Sequence, residues 1–166
     1  MKKSECTIPQ EHERRFVPVL ANLPFNPHLF PVKFITQGYL GDGGKTRLRH
    51  EFSANGQHTY LLTRKTGEGV SRTEDEREIP KGEFDEMWKR VQVSLKKNRY
   101  YIHWEGIDLE LNTFYGTLAT YFQIEVEFDS NEAAVAFVPP EWLGREVTYD
   151  KNHGNYALAK YGIPKG

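Results

Sequence analysis

The sequence has little that would place the protein in an oxidising compartment or in a membrane. It has one cysteine, Cys6, among 166 residues, which excludes an internal disulfide and a cysteine-based metal cluster. It has no apolar run near the roughly 20 residues that span a bilayer. The basic residues at its start are not followed by an apolar segment, so we expect no secretory signal. A soluble, cytoplasmic protein is therefore expected.

The sequence also lacks an excess of charge of either sign. Lys and Arg number 22, Asp and Glu number 23, and the formal net charge is −1. This balance excludes a surface that attracts nucleic acid or anionic lipid as a whole, but it does not exclude a local basic site. Aromatic residues make up 13% of the chain, which argues against disorder because they supply large apolar groups to bury.

Short segments of alternating polar and apolar residues dominate the chain and predict β-strands. Predicted strands cover 10–17, 33–40, 45–53, 57–65, 70–79, 97–104, 107–115, 120–128 and 145–149. Helices are predicted over 83–95 and 130–137, and a short one is expected near 153–160. Many short strands with few helices favour an antiparallel sheet or barrel over a βαβ fold, in a single domain over 1–166.

Charged side chains recur at period two within these strands, so each set lies on one face of its strand. The sets are Glu11, Glu13 and Arg15; Arg47 and Arg49; Arg72, Glu74 and Glu76; Lys97 and Arg99; and Glu125 and Glu127. One such face is the ordinary solvated side of an antiparallel strand. Several together suit another interpretation, because paired carboxylates bind Mg²⁺ or Mn²⁺ and paired cations bind phosphates. We interpret them as a site for a polyphosphate, with cations on one wall and a metal on the other.

The order and spacing of these motifs resemble the CYTH superfamily, also called triphosphate tunnel metalloenzymes. The matching segments are Glu11-His12-Glu13-Arg14-Arg15-Phe16, Gln37-Gly38-Tyr39-Leu40, Arg47-Leu48-Arg49, Leu62-Thr63-Arg64-Lys65, Arg72-Thr73-Glu74-Asp75-Glu76, Lys97-Asn98-Arg99-Tyr100, Glu110-Leu111-Asn112-Thr113-Phe114, Glu125-Val126-Glu127-Phe128 and Pro140-Glu141-Trp142-Leu143-Gly144-Arg145-Glu146-Val147-Thr148. Each motif alone is weak, but the set is specific and runs from about residue 10 to 164.

The resemblance implies an α+β fold: an eight-stranded antiparallel β-barrel forming a tunnel, with the charges inside and a few helices outside. It implies hydrolysis of inorganic triphosphate with Mg²⁺ or Mn²⁺, and a small-molecule triphosphate as partner, with neither nucleic acid nor membrane. By position, the metal ligands would be Glu11, Glu13, Asn112, Glu125 and Glu127; the phosphate ligands Arg47, Arg49, Lys65, Arg72, Lys97 and Arg99; and the catalytic side chains Arg15, Glu74 and Glu76. A homodimer is allowed, and the sequence leaves the oligomeric state open.

Two positions depart from the family pattern. Arg15 replaces the Lys that ends the first motif, and Asn112 replaces an Asp. Arg keeps the charge but is bulkier and forked, whereas Asn keeps one oxygen and loses a charge that would hold metal. Three further functions therefore stay open: a nucleotide or thiamine triphosphatase, a class IV-type adenylyl cyclase, and a polyphosphate- or nucleotide-binding protein without catalysis.

Overall fold

The alternating segments assemble into one antiparallel sheet. The computed structural model describes residues 12–66 and 73–165. Its strands are β1 (His12–Val17), β2 (Val32–Tyr39), β3 (Thr46–Ser53), β4 (His58–Thr66), β5 (Thr73–Glu78), β6 (Val93–Trp104), β7 (Ile107–Phe114), β8 (Phe122–Phe128) and β9 (Arg145–Glu146). Their order across the sheet is β5-β4-β3-β2-β6-β7-β8-β1-β9. Every neighbouring pair is antiparallel.

The predicted antiparallel fold with few helices is confirmed, in a more open form than the sequence predicts. Eight strands have six residues or more, and β9 has two. Among the described residues, strand pairing ends at β5 on one side and at β9 on the other, so hydrogen bonds do not close the sheet into a barrel. β9 pairs with β1 at Phe16 and Val17, at the edge where a closing strand would pair.

In the described part of the chain, three α-helices accompany the sheet: α1 (Lys81–Trp88), α2 (Asn131–Ala136) and α3 (Asn155–Tyr161). Short 3₁₀ turns lie at Leu20–Asn22, Pro27–Leu29, Gly116–Leu118, Glu141–Leu143 and Lys151–His153. Over 12–66 and 73–165, none of the helices has the length and apolar composition needed to cross a membrane.

The helix predicted over 83–95 is wrong at its C-terminal end. α1 ends at Trp88, and the chain rejoins the sheet at Val93. The apolar stripe continues past the helix because Val91 packs beside Trp88 against the outer face of β3 and β4. Leu95 belongs to β6, where it pairs in register with Gln37 and faces the other side of the sheet. Strand pairing between distant segments therefore overrides the local helical period.

Apolar side chains cover both faces of the sheet, in different places. On the outer face, α1 packs over Leu48 of β3, and Phe25 from the proline-rich segment before β2 packs over β6 to β8. On the opposite, inner face, α3 brings Leu158 against Leu95 of β6. Val17 of β1 packs against the same cluster, although β1 and β6 lie three places apart in the sheet. The sheet therefore curves around α3.

Candidate active site

Strand register brings the predicted charged residues to the inner face. Residues directly opposite each other on neighbouring strands share a face, and the pairs Arg15↔Glu125, Glu13↔Glu127, Arg47↔Thr63 and Lys65↔Glu74 extend across the sheet without a change of phase. The predicted residues that lie on this face are Glu13, Arg15, Arg47, Arg49, Lys65, Glu74, Glu76, Lys97, Arg99, Asn112, Glu125 and Glu127. Glu11 and Arg72 lie outside the described residues.

Four cations from β3 and β6 form the centre of this face, and we call Arg47, Arg49, Lys97 and Arg99 the cation cluster. Burial, with Arg47 and Arg99 close by, lowers the pKa of Arg49. Burial, with the charge of Arg99, lowers the pKa of Lys97 well below its usual range. Buried like charges repel and lose their hydration. A bound anion would relieve this repulsion.

Several buried polar atoms around the cation cluster have no hydrogen-bond partner among the described residues. They include Nε of Arg47, Nδ2 of Asn112 and Oε1 of Gln37. Buried polar atoms are nearly always hydrogen-bonded in folded proteins, and leaving one unpaired is unfavourable by roughly 1–3 kcal/mol. The unpaired donors on Arg47 and Asn112 point to a ligand or solvent with acceptor oxygens, whereas the Gln37 oxygen can accept from solvent.

Carboxylates from β7, β8 and β1 lie beside the cation cluster. Arg99 contacts both Glu110 and Glu125 at 3.2 Å, and despite burial these carboxylates raise its pKa. Burial, together with Glu125 and Glu127, raises the pKa of Glu110, although Arg99 opposes the shift. Arg99, Lys97 and Arg15 lower the pKa of Glu125 even though its burial favours the neutral form.

The crowded carboxylates have the donor chemistry of a divalent-metal site. Burial and the charges of Glu125 and Glu127 raise the pKa of Glu110, and a cation bound among these carboxylates would relieve their repulsion. The donors are hard oxygens, which Mg²⁺ and Mn²⁺ prefer. Among the described residues no three His, Cys, Asp or Glu side chains are already arranged around an ion. The donor chemistry fits a metal, and Glu11, a predicted ligand, lies outside the described residues.

The predicted catalytic carboxylates on β5 contact the cation cluster. One oxygen of Glu76 accepts hydrogen bonds from Arg47 at 3.1 Å, Arg49 at 3.3 Å and Thr63 at 2.9 Å. Glu74 lies 3.7 Å from Arg47. Glu76 thus partly neutralises the two arginines of β3 in the free protein, at the point where an anionic ligand would bind.

The two residues that depart from the family pattern are both held by neighbours on the inner face. The guanidinium of Arg15 lies 2.9 Å from Glu13 and 3.8 Å from Glu125. Asn112 is fully buried, and its amide oxygen accepts a hydrogen bond from Nε of Arg99 at 3.0 Å. The predicted metal role of Asn112 stays a prediction, since this oxygen already serves to orient Arg99.

The two ends of the inner face differ in character. At the α3 end, Nζ of Lys97 donates to the side chain of Asn155 at 3.2 Å, and beyond it Leu158, Leu95 and Phe114 form an apolar cluster. The other end, which we call the Tyr101 end, carries polar side chains on β2, β3 and β6. Burial raises the pKa of Tyr101 to about 12, so its hydroxyl is protonated at neutral pH.

The chain is similar in sequence and fold to known proteins. No family model matches the chain. The inorganic triphosphatase of Nitrosomonas europaea is 37% identical over 155 residues, covering 90% of this chain and 96% of that protein. The chain belongs to the CYTH superfamily.

Two further comparisons agree with this assignment. The inorganic triphosphatase of Acetivibrio thermocellus is 36% identical to the CYTH protein over 103 residues, covering 61% of this chain and 65% of that protein. The crystal structure of the inorganic triphosphatase NE1496 matches the CYTH protein with a TM-score of 0.65 and 34% identity, over 92% of this chain and 99% of that one. The sequence comparison and the structural comparison therefore support the same family assignment.

Some inner-face residues of the CYTH protein were not singled out from sequence. They are Lys33, Gln37, Tyr39, Glu51 and Asn155. A signal was present for Glu51, which continues the period-two set of Arg47 and Arg49. Asn155 had no such signal, because it reaches Lys97 from a helix 58 positions away in the chain.

Proposed function

We propose that this CYTH protein hydrolyses inorganic triphosphate. The observation that carries the proposal is the buried cation cluster, with unpaired donors, beside a row of carboxylates on one concave face. The likeness over 90% of the chain to a protein named inorganic triphosphatase supports it. Hydrolysis adds the oxygen of water to a terminal phosphorus, breaks its bond to the bridging oxygen, and releases phosphate and diphosphate.

The cation cluster binds the substrate in this scheme. Phosphoryl transfer needs positioning and neutralisation of charge more than covalent chemistry. Arg47 and Arg49 present forked donors to phosphate oxygens, and Lys97 and Arg99 add charge from the facing strand. Because these side chains are held in place before substrate arrives, they stabilise the charge on the leaving diphosphate without reorganising.

Glu76 changes partners when substrate binds. Phosphate oxygens compete for the guanidinium groups of Arg47 and Arg49, which Glu76 contacts in the free protein. The displaced carboxylate then lies beside the phosphates and accepts a hydrogen bond from the attacking water. Glu74 pairs in register with Lys65 and lies beside Glu76 on the inner face of β5.

A divalent ion fits the carboxylate side of the site. Glu13, Glu125 and Glu127 would hold it together with Glu11, and we favour Mg²⁺ or Mn²⁺ because every donor is a carboxylate oxygen. Such an ion would supply positive charge for phosphate oxygens and would make a nearby water more acidic. Arg15, between Glu13 and Glu125, orients these carboxylates and limits their mutual repulsion. The cytoplasmic location and the homodimer stay predictions.

The test is phosphate release from inorganic triphosphate, ATP and thiamine triphosphate with Mg²⁺ or Mn²⁺, with cyclic AMP measured in parallel. Inorganic triphosphate is expected to be the best substrate. Glu127→Gln is expected to lower kcat/KM by about 100-fold, because loss of one metal-binding carboxylate weakens binding of the ion. Glu86→Gln is the matched control, since Glu86 pairs only with Lys89 on the exposed side of α1 in the contacts described.

A wild-type rate in Glu127→Gln contradicts the assigned metal side. Binding of triphosphate without any product favours a binding protein without catalysis. In that case Asn112→Asp, which restores the family's carboxylate, is expected to produce activity. A cyclic AMP product favours an adenylyl cyclase, and a preference for ATP or thiamine triphosphate favours a nucleotide or thiamine triphosphatase.

A further inference from the structure

The inner face of β3 changes sign at one position. It presents Arg47, then Arg49, then Glu51 along one strand. The two oxygens of Glu51 lie 3.4 Å from Nζ of Lys33 and 3.5 Å from Nε of Arg49. Only 13% of the Glu51 side chain is exposed. A partly buried carboxylate held by two cations has few other positions to adopt.

Along β3, Glu51 follows Arg49 in the direction of the Tyr101 end, because β3 and β6 run parallel on either side of β2. Lys33 pairs in register with Arg99 of β6 and with Ser53 of β3. The amine of Lys33 also lies 5.4 Å from the ring centre of Tyr101. Lys33, Glu51 and Tyr101 therefore border the cation cluster on the side away from α3.

The opposite side of the cation cluster is bordered by apolar side chains of β6, β7 and α3. There Lys97 meets Asn155, and Leu95 and Leu158 pack together beyond it. An additional phosphate at the α3 end is therefore unfavourable, because its oxygens would lie against apolar side chains. The polar Tyr101 end is the more favourable direction for an additional phosphate, and Glu51 lies on that side.

We propose that Glu51 restricts the substrate to a chain of three phosphates and excludes longer linear polyphosphates. This inference rests on the proposed triphosphatase function and deepens it. A fourth phosphate beside Glu51 places like charges together in a partly buried setting, where the repulsion is little screened. Glu51 moves aside only by breaking its ion pairs with Arg49 and Lys33.

The same geometry gives Lys33 the opposite effect. In the free protein its amine partly neutralises Glu51, which weakens the repulsion. Once the charge of Glu51 is removed, Lys33 and Arg49 are both available to a fourth phosphate. Replacing Glu51 and replacing Lys33 are therefore expected to change the preference for inorganic tetraphosphate over inorganic triphosphate in opposite directions.

The experiment measures kcat/KM for inorganic triphosphate and inorganic tetraphosphate at the same concentration of Mg²⁺ or Mn²⁺. The quantity compared is the ratio of the tetraphosphate value to the triphosphate value. Glu51→Gln, which keeps the shape, is expected to raise this ratio about tenfold, since juxtaposed like charges weaken binding at least that much. Lys33→Met is expected to lower it about threefold. Glu86→Gln, an equal charge change far from the inner face, is expected to leave it unchanged.

The outcomes separate the inference from the proposed function. A wild-type protein that does not hydrolyse triphosphate overturns the proposed function, and the length limit with it. A wild-type protein that does, with an unchanged ratio in a folded Glu51→Gln variant, overturns the length limit alone. Thermal melting establishes that each variant is folded. Should Glu51→Gln not fold, a ratio in Lys33→Met at or above the wild-type value overturns the inference.

Discussion

At the scale of single residues, Lys97 is a charged side chain whose burial is unfavourable for the stability of the fold. Its side chain is 1% exposed, and burial with the charge of Arg99 lowers its pKa well below the usual range. Asn155 accepts a hydrogen bond from its amine, which compensates only part of the lost hydration. Residues placed for binding are often unfavourable for folding, and Lys97 has the environment of such a residue.

Replacement of Lys97 by Met is therefore expected to stabilise the fold and abolish function. We expect the free energy of unfolding to rise by about 1–2 kcal/mol, because an apolar chain of similar volume avoids burying a charge. Glu125 keeps Arg99 at 3.2 Å and Arg15 at 3.8 Å, so it is not left alone. We expect kcat/KM for triphosphate to fall at least 100-fold.

Urea unfolding and triphosphate hydrolysis measure the two effects of Lys97→Met. Lys89→Met is the control, because Lys89 is exposed and pairs with Glu86 at 2.9 Å. It is expected to change stability by less than about 0.5 kcal/mol. A Lys97→Met protein that is less stable than wild type assigns Lys97 a structural role and contradicts the argument.

Residue-scale inference from sequence succeeded where one strand carried the whole pattern. The alternation of Arg47 and Arg49, or of Glu125 and Glu127, predicts a shared face, and the register places these sets on one inner face. The contact between Asn155 and Lys97 was not predictable, because nothing local to either residue indicates that α3 crosses the inner face. Orphaned donors such as Nδ2 of Asn112 likewise appear only once burial is known.

At the scale of elements, Arg14 joins three pieces of the fold from the outer face of β1. Its guanidinium binds Glu146 of β9 at 2.8 and 2.7 Å. It also donates to the carbonyl oxygens of Ala134 and Phe137, at 3.0 and 2.7 Å, at the end of α2. These contacts hold α2 and β9 on β1, the strand that carries Glu13 and Arg15 on its inner face.

Removing Arg14 is expected to destabilise the protein more than removing another arginine with a surface partner. Arg14→Met loses several charge-assisted hydrogen bonds and leaves two carbonyl oxygens without this donor, which we estimate at about 2–3 kcal/mol. Arg77→Met is the control, since the contact of Arg77 with Glu83 is exposed and 3.4 Å long, and surface pairs contribute about 0–1 kcal/mol. Urea unfolding at pH 7 measures both values.

The contribution of Arg14 also depends on pH. The hydrogen bond from Arg14 lowers the pKa of Glu146. A carboxyl whose folded pKa is below its unfolded value, about 4.3 for Glu, adds stability above the unfolded pKa and loses it as the pH falls through the folded pKa. The difference between wild type and Arg14→Met is therefore expected to shrink below about pH 4. A difference that is constant from pH 7 to pH 3 contradicts an ionic contribution from Glu146.

Element boundaries were predictable only where local and non-local preferences agree. The helix expected near 153–160 lies at Asn155–Tyr161, and the strand predicted over 107–115 lies at Ile107–Phe114. The error at 83–95 arises because Val91 and Leu95 keep helical spacing although Leu95 pairs with Gln37 of a distant strand. Closure of the sheet into a barrel depends on which strand pairs with the outer edge of β1. No local sequence pattern determines that pairing.

At the scale of the whole molecule, a net charge of −1 conceals a segregated interior. The cation cluster lies on β3 and β6, and the carboxylates of the proposed metal side lie on β8 and β1 with Glu110 of β7 beside them. Glu51, Glu74 and Glu76 lie on the cation side and partly neutralise its arginines. Neither set of charges is favourable without a ligand. Burial disfavours the charged form of Lys97 in the cation cluster, and it favours the neutral form of Glu110 among the carboxylates. A triphosphate and a divalent ion are the complementary ligands of these two halves.

Each ligand is therefore expected to stabilise the protein without the other. A ligand at 100 times its Kd adds about 2.7 kcal/mol to the folded state, which for 166 residues corresponds to about 5–10 °C in Tm. Triphosphate with a chelator present, and Mg²⁺ or Mn²⁺ alone, are each expected to raise Tm. The triphosphate shift is expected to fall with added salt, because the interaction is ionic.

Two variants distinguish the halves in the same melting experiment. Lys97→Met is expected to lose most of the triphosphate shift and keep the metal shift, because its amine belongs to the cation cluster. Glu127→Gln is expected to do the reverse, since its carboxylate lies on the metal side. If both variants lose both shifts, the ligands share one set of residues and the segregation of charge is wrong. If neither variant loses a Tm shift, the ligands bind outside the inner face. The cations and carboxylates of the inner face then do not form the binding site.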